Sequence, residues 1–356
     1  MKAQKIKVLY FTHPTAFNIF GGAEIQILKT KEYLEKLPGD FIKIKLFDSF
    51  HDNIDDYDII HVFQMSPECL SFFKLAKLKG KKTILSPIYW EQPTTIWEKI
   101  GPLSLARFYS NLKIYRVFTS RELYPYKDFL EIADIILPNS NMEASLLANS
   151  FKVNVEKFFV VPNGVDRRFY EAKPDFFIKK YGVDDFILYV GKIEPRKNVL
   201  NLLKVCRDIN IPTVVIGNCQ PFQNWYFLEC KKIIDSSHNI LLVDSVPHGS
   251  EELCSAYAAA KVFVLPSWYE TPGLAALEAG LAGCNLVITS RGSTIEYFKD
   301  YAWYVNPESI VDLRKKILEA YAHPKSPELK NHVFRHYIWE IVAEKTLQAY
   351  RLAYNK

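Results

Sequence analysis

The chain has 356 residues, longer than a single hydrophobic core usually grows, so two domains are expected. Apolar residues make up 49% and charged residues 24%, which excludes a disordered chain, and no stretch approaches the roughly 20 apolar residues of a membrane span. The net charge of +5 is mild for this length, and without a Lys/Arg run it gives no sign of a nucleic-acid partner.

Met1 to Lys7 carry three lysines, but the apolar run 8–11 is too short for a signal-peptide core, so the expected compartment is the cytoplasm. Apolar runs at 5–11, 41–47, 57–63, 82–87, 133–137, 186–190, 212–216, 239–243, 261–265 and 285–289 read as buried strands. Between them, 23–34, 140–150, 199–207, 251–260, 273–282 and 310–322 have helical spacing. Strands alternating with helices predict parallel sheets covered on both faces, an α/β class built from two doubly wound domains. The turn-rich Pro162-Asn163-Gly164-Val165-Asp166 marks the boundary between domains 1–165 and 166–334. Residues 333–354 read as one long helix that could dock on either domain. The six cysteines form no Cys-x-x-Cys pair, which predicts buried free thiols and neither disulfide nor zinc.

In doubly wound sheets, ligands bind beyond the carboxyl ends of strands, so chemistry is sought there, in a cleft between the two domains. After the strand at 261–265 comes Pro266-Ser267-Trp268-Tyr269-Glu270-Thr271-Pro272-Gly273-Leu274-Ala275-Ala276-Leu277-Glu278. Thr271 as N-cap and Pro272 as first helical residue would leave the amides of Gly273, Leu274 and Ala275 open to an anion at the positive end of the helix dipole. Glu278, five residues past Gly273 and roughly 7 to 8 Å along the axis, could accept the hydroxyls of a ribose whose phosphates sit at those amides. Glu270 would then face the group beyond the phosphates. Taken alone, the segment reads equally well as a solvated helix with two surface glutamates.

Gly191-Lys192-Ile193-Glu194-Pro195-Arg196-Lys197-Asn198 follows the strand at 186–190 and places three cations in one turn, a clamp for a diphosphate. Gly21-Gly22-Ala23-Glu24 opens the first helix with glycines that admit close approach of a ligand. No Gly-x-Gly-x-x-Gly follows the first strand, which argues against a nicotinamide-dependent oxidoreductase.

These pieces, with Pro162-Asn163-Gly164-Val165-Asp166, the Glu270-x7-Glu278 pair and Leu277-Glu278-Ala279 running into Gly283, resemble the GT4 glycosyltransferases in the family's order across nearly the whole chain. The resemblance implies the GT-B fold, two Rossmann-like domains facing across a cleft, with residues 335–356 completing the first. It implies retaining transfer of a sugar from a nucleotide sugar to a glycan or lipid-linked acceptor in cell-surface polysaccharide assembly, without cofactor or essential metal. Glu278 would hold the ribose, Glu270 with Thr271 the donor sugar, and the Gly273 and Leu274 amides sugar and phosphate. Lys192 and Lys197 would stabilise the departing diphosphate, with Gly22 approaching from the first domain.

Three departures stand out. Lys192 occupies a position that is usually Arg, Thr271-Pro272 replaces a common Gly-aromatic pair, and Ile88-Tyr89-Trp90-Glu91 lacks the histidine that many relatives carry. Tyr89 and Trp90 remain as acceptor-side candidates for stacking on a sugar. In 101–129, Arg107, Lys113, Arg116, Arg121 and Lys127 alternate with aromatic residues. That segment could be a surface peripheral to the inner membrane face, or a helix pair whose basic residues lie over aromatic packing. His61, inside a strand, reads as a core histidine, and His248 as a loop residue. The rival functions are a non-catalytic sugar-nucleotide-binding partner of another transferase and a nucleotide-sugar epimerase.

Overall fold

The computed structural model describes residues 5–18, 21–39, 41–89, 126–219 and 224–355. The chain divides into two compact units, Met1–Asn163 with Trp339–Lys356, and Gly164–Ile338.

The first unit holds a parallel sheet of order β2-β1-β3-β4-β5, formed by β1 Ile6–Phe11, β2 Ile42–Leu46, β3 Ile59–Phe63, β4 Lys82–Ser86 and β5 Ile135–Ile136. Alternate side chains enter two cores. Val8, Tyr10, Ile59, Phe63 and Ile84 join the helices Gly22–Glu35 and Trp339–Asn355 on one face, through residues such as Ile27, Leu34, Trp339, Leu347 and Tyr350. Leu9, Ile60, Val62 and Leu85 join Pro67–Leu78, Tyr126–Ile132 and Asn141–Phe151 on the other. Burial on both faces is why the central strands β1 and β3 are predominantly apolar. β2 lies at the sheet edge and carries exposed lysines at Lys43 and Lys45, which blunts it against further pairing.

Within this core His61 is buried, with Nδ1 2.6 Å from the Tyr350 hydroxyl and Nε2 2.9 Å from Ser86 Oγ. Tyr350 donates onward to the Tyr10 hydroxyl at 2.8 Å, so it accepts from His61 Nδ1–H and Ser86 donates to Nε2. Burial lowers the His61 pKa to about 3 and keeps the ring neutral. The chain thus ties β1, β3 and β4 to its C-terminal helix.

The second unit holds six parallel strands, β6 Ile187–Val190, β7 Thr213–Ile216, β8 Ile240–Val243, β9 Val262–Leu265, β10 Asn285–Thr289 and β11 Ala302–Val305, in the order β11-β10-β9-β6-β7-β8. β11 is absent from the sequence reading because, of its four residues, Val305 alone is buried, as suits a sheet edge.

The expected single helix at 333–354 is two helices, Pro327–Tyr337 and Trp339–Asn355. Ile338 between them is extended and bridges to Val165, whose amide donates to the Tyr337 carbonyl at 2.8 Å. The apolar repeat runs through this break unaltered, so spacing could not reveal it. The expected boundaries after 165 and 334 accordingly fall after 163 and 338. All six cysteines are unpaired and five are buried.

Candidate functional site

In the second sheet the chain leaves β6 toward β7 and β8, then returns to β9 on the other side and continues to β10 and β11. β6 and β9 are parallel neighbours, pairing Ile187 with Val262 and Leu188 with Phe263. The loops after them therefore emerge side by side at the point where strand order reverses, the favoured ligand position of such sheets.

Those loops bring Lys197 and Glu270 together, with Nζ 2.5 Å from Oε1. Lys197 sits on a 3-10 turn, Pro195–Lys197, closed by the bond from its amide to the Glu194 carbonyl. Asn198 locks this turn to the neighbouring loops, donating through Nδ2 to the carbonyls of Pro266 at 3.2 Å and Pro307 at 2.9 Å. Glu270 is fixed through its backbone, whose amide donates to Arg291 and whose carbonyl accepts from Ser293. Gly292 makes this bridge possible, since a Cβ there would lie 1.9 Å from the Glu270 carbonyl oxygen.

Burial works to raise the Glu270 pKa, but the charges of Lys197 and Arg196 outweigh it and hold the carboxyl below its ordinary value. Burial lowers the Lys197 pKa, against the raising effect of Glu270. Arg196 pairs with Glu194 at 2.9 Å and lies 3.8 Å from Glu270. Lys192 makes no ion pair among the described residues, and its carbonyl accepts from the buried Tyr189 hydroxyl. Two cations, Arg196 and Lys197, therefore face the two carboxylates Glu194 and Glu270.

The helix after Glu270 is Leu274–Ala282 and its N-cap is Gly273, two residues later than expected from Thr271 and Pro272. Gly273 has φ +89 and ψ +97, a conformation outside the helix that L side chains rarely adopt, so residues before it cannot belong to the helix. Its carbonyl accepts from Ala276 and Leu277, and the amides of Leu274 and Ala275, ahead of them, have no carbonyl one turn back within the helix. Thr271 lies in the preceding loop, joined to Pro272 by a cis peptide bond.

Glu278, one turn past Leu274 on the same helix face, is buried. The Tyr257 hydroxyl donates to its Oε2 at 2.8 Å, and His248 Nε2 lies 2.6 Å from its Oε1. Burial and the Glu278 charge raise the Tyr257 pKa well above its ordinary value, so it stays a donor. His248 lies in a loop, as expected, but its contact with Glu278 was not expected. A histidine between Pro247 and Gly249 carries no local signal of a partner 30 residues away. Asn198, Tyr257 and Gly292 were missed for the same reason, whereas Arg196, expected as one cation of a diphosphate clamp, pairs instead with Glu194.

The remaining candidates lie in the first unit. Gly22 is the exposed first residue of its helix, with Gly21 as N-cap. Tyr89 packs edge-on against Tyr126 and Phe151, and its amide donates to Glu143. Trp90 lies outside the described residues, as does 101–125. Among the described residues no group of three or more His, Cys, Asp or Glu is placed to hold a metal ion, and no helix is long and apolar enough to cross a membrane.

Residues 173–332 match the model of the family glycosyl transferases group 1. The matched stretch lies wholly within the second unit. The chain is 25% identical over 312 residues to the lipopolysaccharide 1,2-N-acetylglucosaminetransferase of Salmonella typhimurium, covering 78% of this chain and 81% of the relative. To the O-antigen chain mannosyltransferase B of Escherichia coli it is 23% identical, over 70% of this chain and 72% of the relative. A match to an uncharacterized glycosyltransferase of Methanocaldococcus jannaschii, 24% identical, takes in 64% of this chain and 62% of that protein. In fold it is similar to sucrose-phosphate synthase from Thermosynechococcus elongatus, with a TM-score of 0.76 and 17% identity over 99% of this chain and all of the other. It is similar also to Anabaena HepE in complex with UDP and glucose, with a TM-score of 0.68 and 13% identity over 98% and 100%. The chain has the GT-B fold, with two Rossmann-like domains.

Proposed function

We propose that the chain is a retaining glycosyltransferase whose second unit holds a nucleotide sugar, with the sugar passing to a glycan or lipid-linked acceptor in cell-surface polysaccharide assembly. The observation that carries the donor reading is the convergence of Lys197, Glu270, the helix start at Leu274 and Glu278 at the β6–β9 switch point. Each element matches one part of such a donor. The Leu274 and Ala275 amides and the charge of Lys192 suit a diphosphate, Glu278 suits a ribose, and Glu270 suits sugar hydroxyls. The reading of the acceptor rests on the relatives named for O-antigen and lipopolysaccharide transfer.

In this reading the bond from sugar C1 to the diphosphate oxygen breaks, and the acceptor oxygen forms its bond to C1 on the same face. The acceptor proton leaves with the diphosphate. Negative charge grows on the departing oxygen, and Lys192 and Lys197, already fixed on the loop after β6, stabilise it without reorganisation. Glu270, ionised and held by Lys197, orients the sugar.

A panel of nucleotide sugars incubated with the chain and a membrane lipid extract tests this. Release of nucleoside diphosphate with label moving into the extract is expected, and Lys197→Ala should slow it by roughly 100-fold or more. Donor binding with neither transfer nor hydrolysis would instead favour a non-catalytic donor-binding partner, the reading that the missing histidine of residues 88–91 leaves standing.

A further inference from the structure

His248 belongs to the loop between β8 and the helix Glu251–Ala259, and three neighbours hold it. Asp166 pairs with Arg168 at 3.0 Å, Arg168 donates to the Gly249 carbonyl at 2.9 Å, and the Phe169 ring lies beside the imidazole with centroids 6.4 Å apart. The segment ending in Asp166, whose role the donor reading leaves open, thereby fixes the backbone next to His248. The imidazole meets Glu278, whose side chain is 7% exposed against 27% for His248.

An ionised carboxylate offers about four acceptor sites, two on each oxygen, and no proton. Its contact at 2.6 Å therefore makes His248 Nε2 the donor, to Oε1, while the Tyr257 hydroxyl donates to Oε2 at 2.8 Å. Each oxygen keeps one acceptor site, and the plane of the group is fixed by donors at both corners. Two single sites side by side on a fixed plane match two adjacent hydroxyls better than one.

We propose that His248 and Tyr257 hold the Glu278 carboxylate as a receptor for a vicinal diol, and that His248 sets the preference for ribose over 2′-deoxyribose. This rests on Glu278 being the ribose-binding residue of the donor site. His248 is a positioning residue. Without it the Oε1 corner is unrestrained, the carboxylate turns about its last torsion, and a single hydroxyl satisfies it as well as a diol does.

Isothermal titration of UDP, GDP and ADP and their 2′-deoxy counterparts into the full chain tests the proposal. The ribonucleotide that binds the wild type should bind at least tenfold tighter than its deoxy form. His248→Leu should bring that ratio below threefold with its melting temperature retained, Tyr257→Phe should lower it in part, and His248→Gln, whose amide can donate in place of the imidazole, should restore it. A ratio unchanged in His248→Leu, while Glu278→Ala abolishes it, overturns the role of His248 and leaves the donor reading intact. Failure of every nucleotide to bind the wild type, or binding untouched by Glu278→Ala, overturns the donor reading and this proposal with it.

Discussion

The Lys197 ammonium lies 2.5 Å from the Glu270 carboxylate, though 73 residues separate them in the chain. Both side chains are largely buried, at 15% and 6% exposure, so each charge depends on the other for solvation. Removing one partner strands the other, which typically costs about 3–5 kcal/mol. Lys197→Met and Glu270→Leu should each lower the unfolding free energy by that order in urea titrations, and the double variant should lose less than the sum. Additive losses would mean that the two residues do not depend on each other.

The same pair sets an acid limit. The Glu270 pKa is lowered in the fold, so its contribution is present above the unfolded value of about 4.5 and lost as pH falls through the folded one. Wild type should lose stability below pH 4.5 more steeply than Glu270→Gln in chemical denaturation at a series of pH values.

Glu143 behaves oppositely. It is buried and accepts from the amides of Asn139 and Tyr89, yet burial outweighs both bonds and raises its pKa to about 7. Its contribution is therefore full below about pH 4.5 and lost as pH rises through 7, a change of about 3 kcal/mol. Glu143→Gln cannot ionise and should remove this slope in urea titrations between pH 5 and 8, at the cost of one amide acceptor. A slope identical to wild type would rule Glu143 out as its source.

Tyr350→Phe leaves His61 Nδ1 and the Tyr10 hydroxyl without the partner they share. The expected loss is about 1–3 kcal/mol of unfolding free energy. The His61 pKa is lowered by burial, so its contribution holds above the unfolded value of about 6.5 and fades as pH falls toward 3. His61→Leu should flatten that part of the stability profile.

Gly292→Ala would place a Cβ 1.9 Å from the Glu270 carbonyl oxygen, at a residue with φ +96. The loop must move, and Glu270 with it, so both melting temperature and donor affinity should fall. Gly182→Ala is the control. Its φ is +68 but a Cβ there meets nothing within 4 Å, so it should cost about 1–2 kcal/mol in stability and leave donor affinity unchanged. Equal effects on affinity would sever Gly292 from the site.

The central strands were legible because both of their faces are buried, as Leu9 and Val8 show by entering opposite cores. β11 was not, since an edge strand needs little apolar surface. In the site, residues that follow strands and break local patterns stood out, as with Glu270 after β9 and Lys197 after β6. Residues whose role is to hold another residue did not. His248, Tyr257 and Asn198 act through bonds to partners distant in the chain, and nothing in their own neighbourhoods announces this. The helix start was misplaced because Thr271-Pro272 fits an ordinary N-terminus, while the backbone of Gly273 decides where the helix begins.

Calorimetric binding of UDP, GDP, ADP and their sugars to wild type and to Glu278→Ala tests the donor site most directly. One nucleotide should bind the wild type at a single site, and Glu278→Ala, which removes the proposed acceptor for two hydroxyls, should weaken it by roughly tenfold or more. Equal affinity in both proteins, or no binding to either, would contradict the assignment of Glu278 and of the site around it.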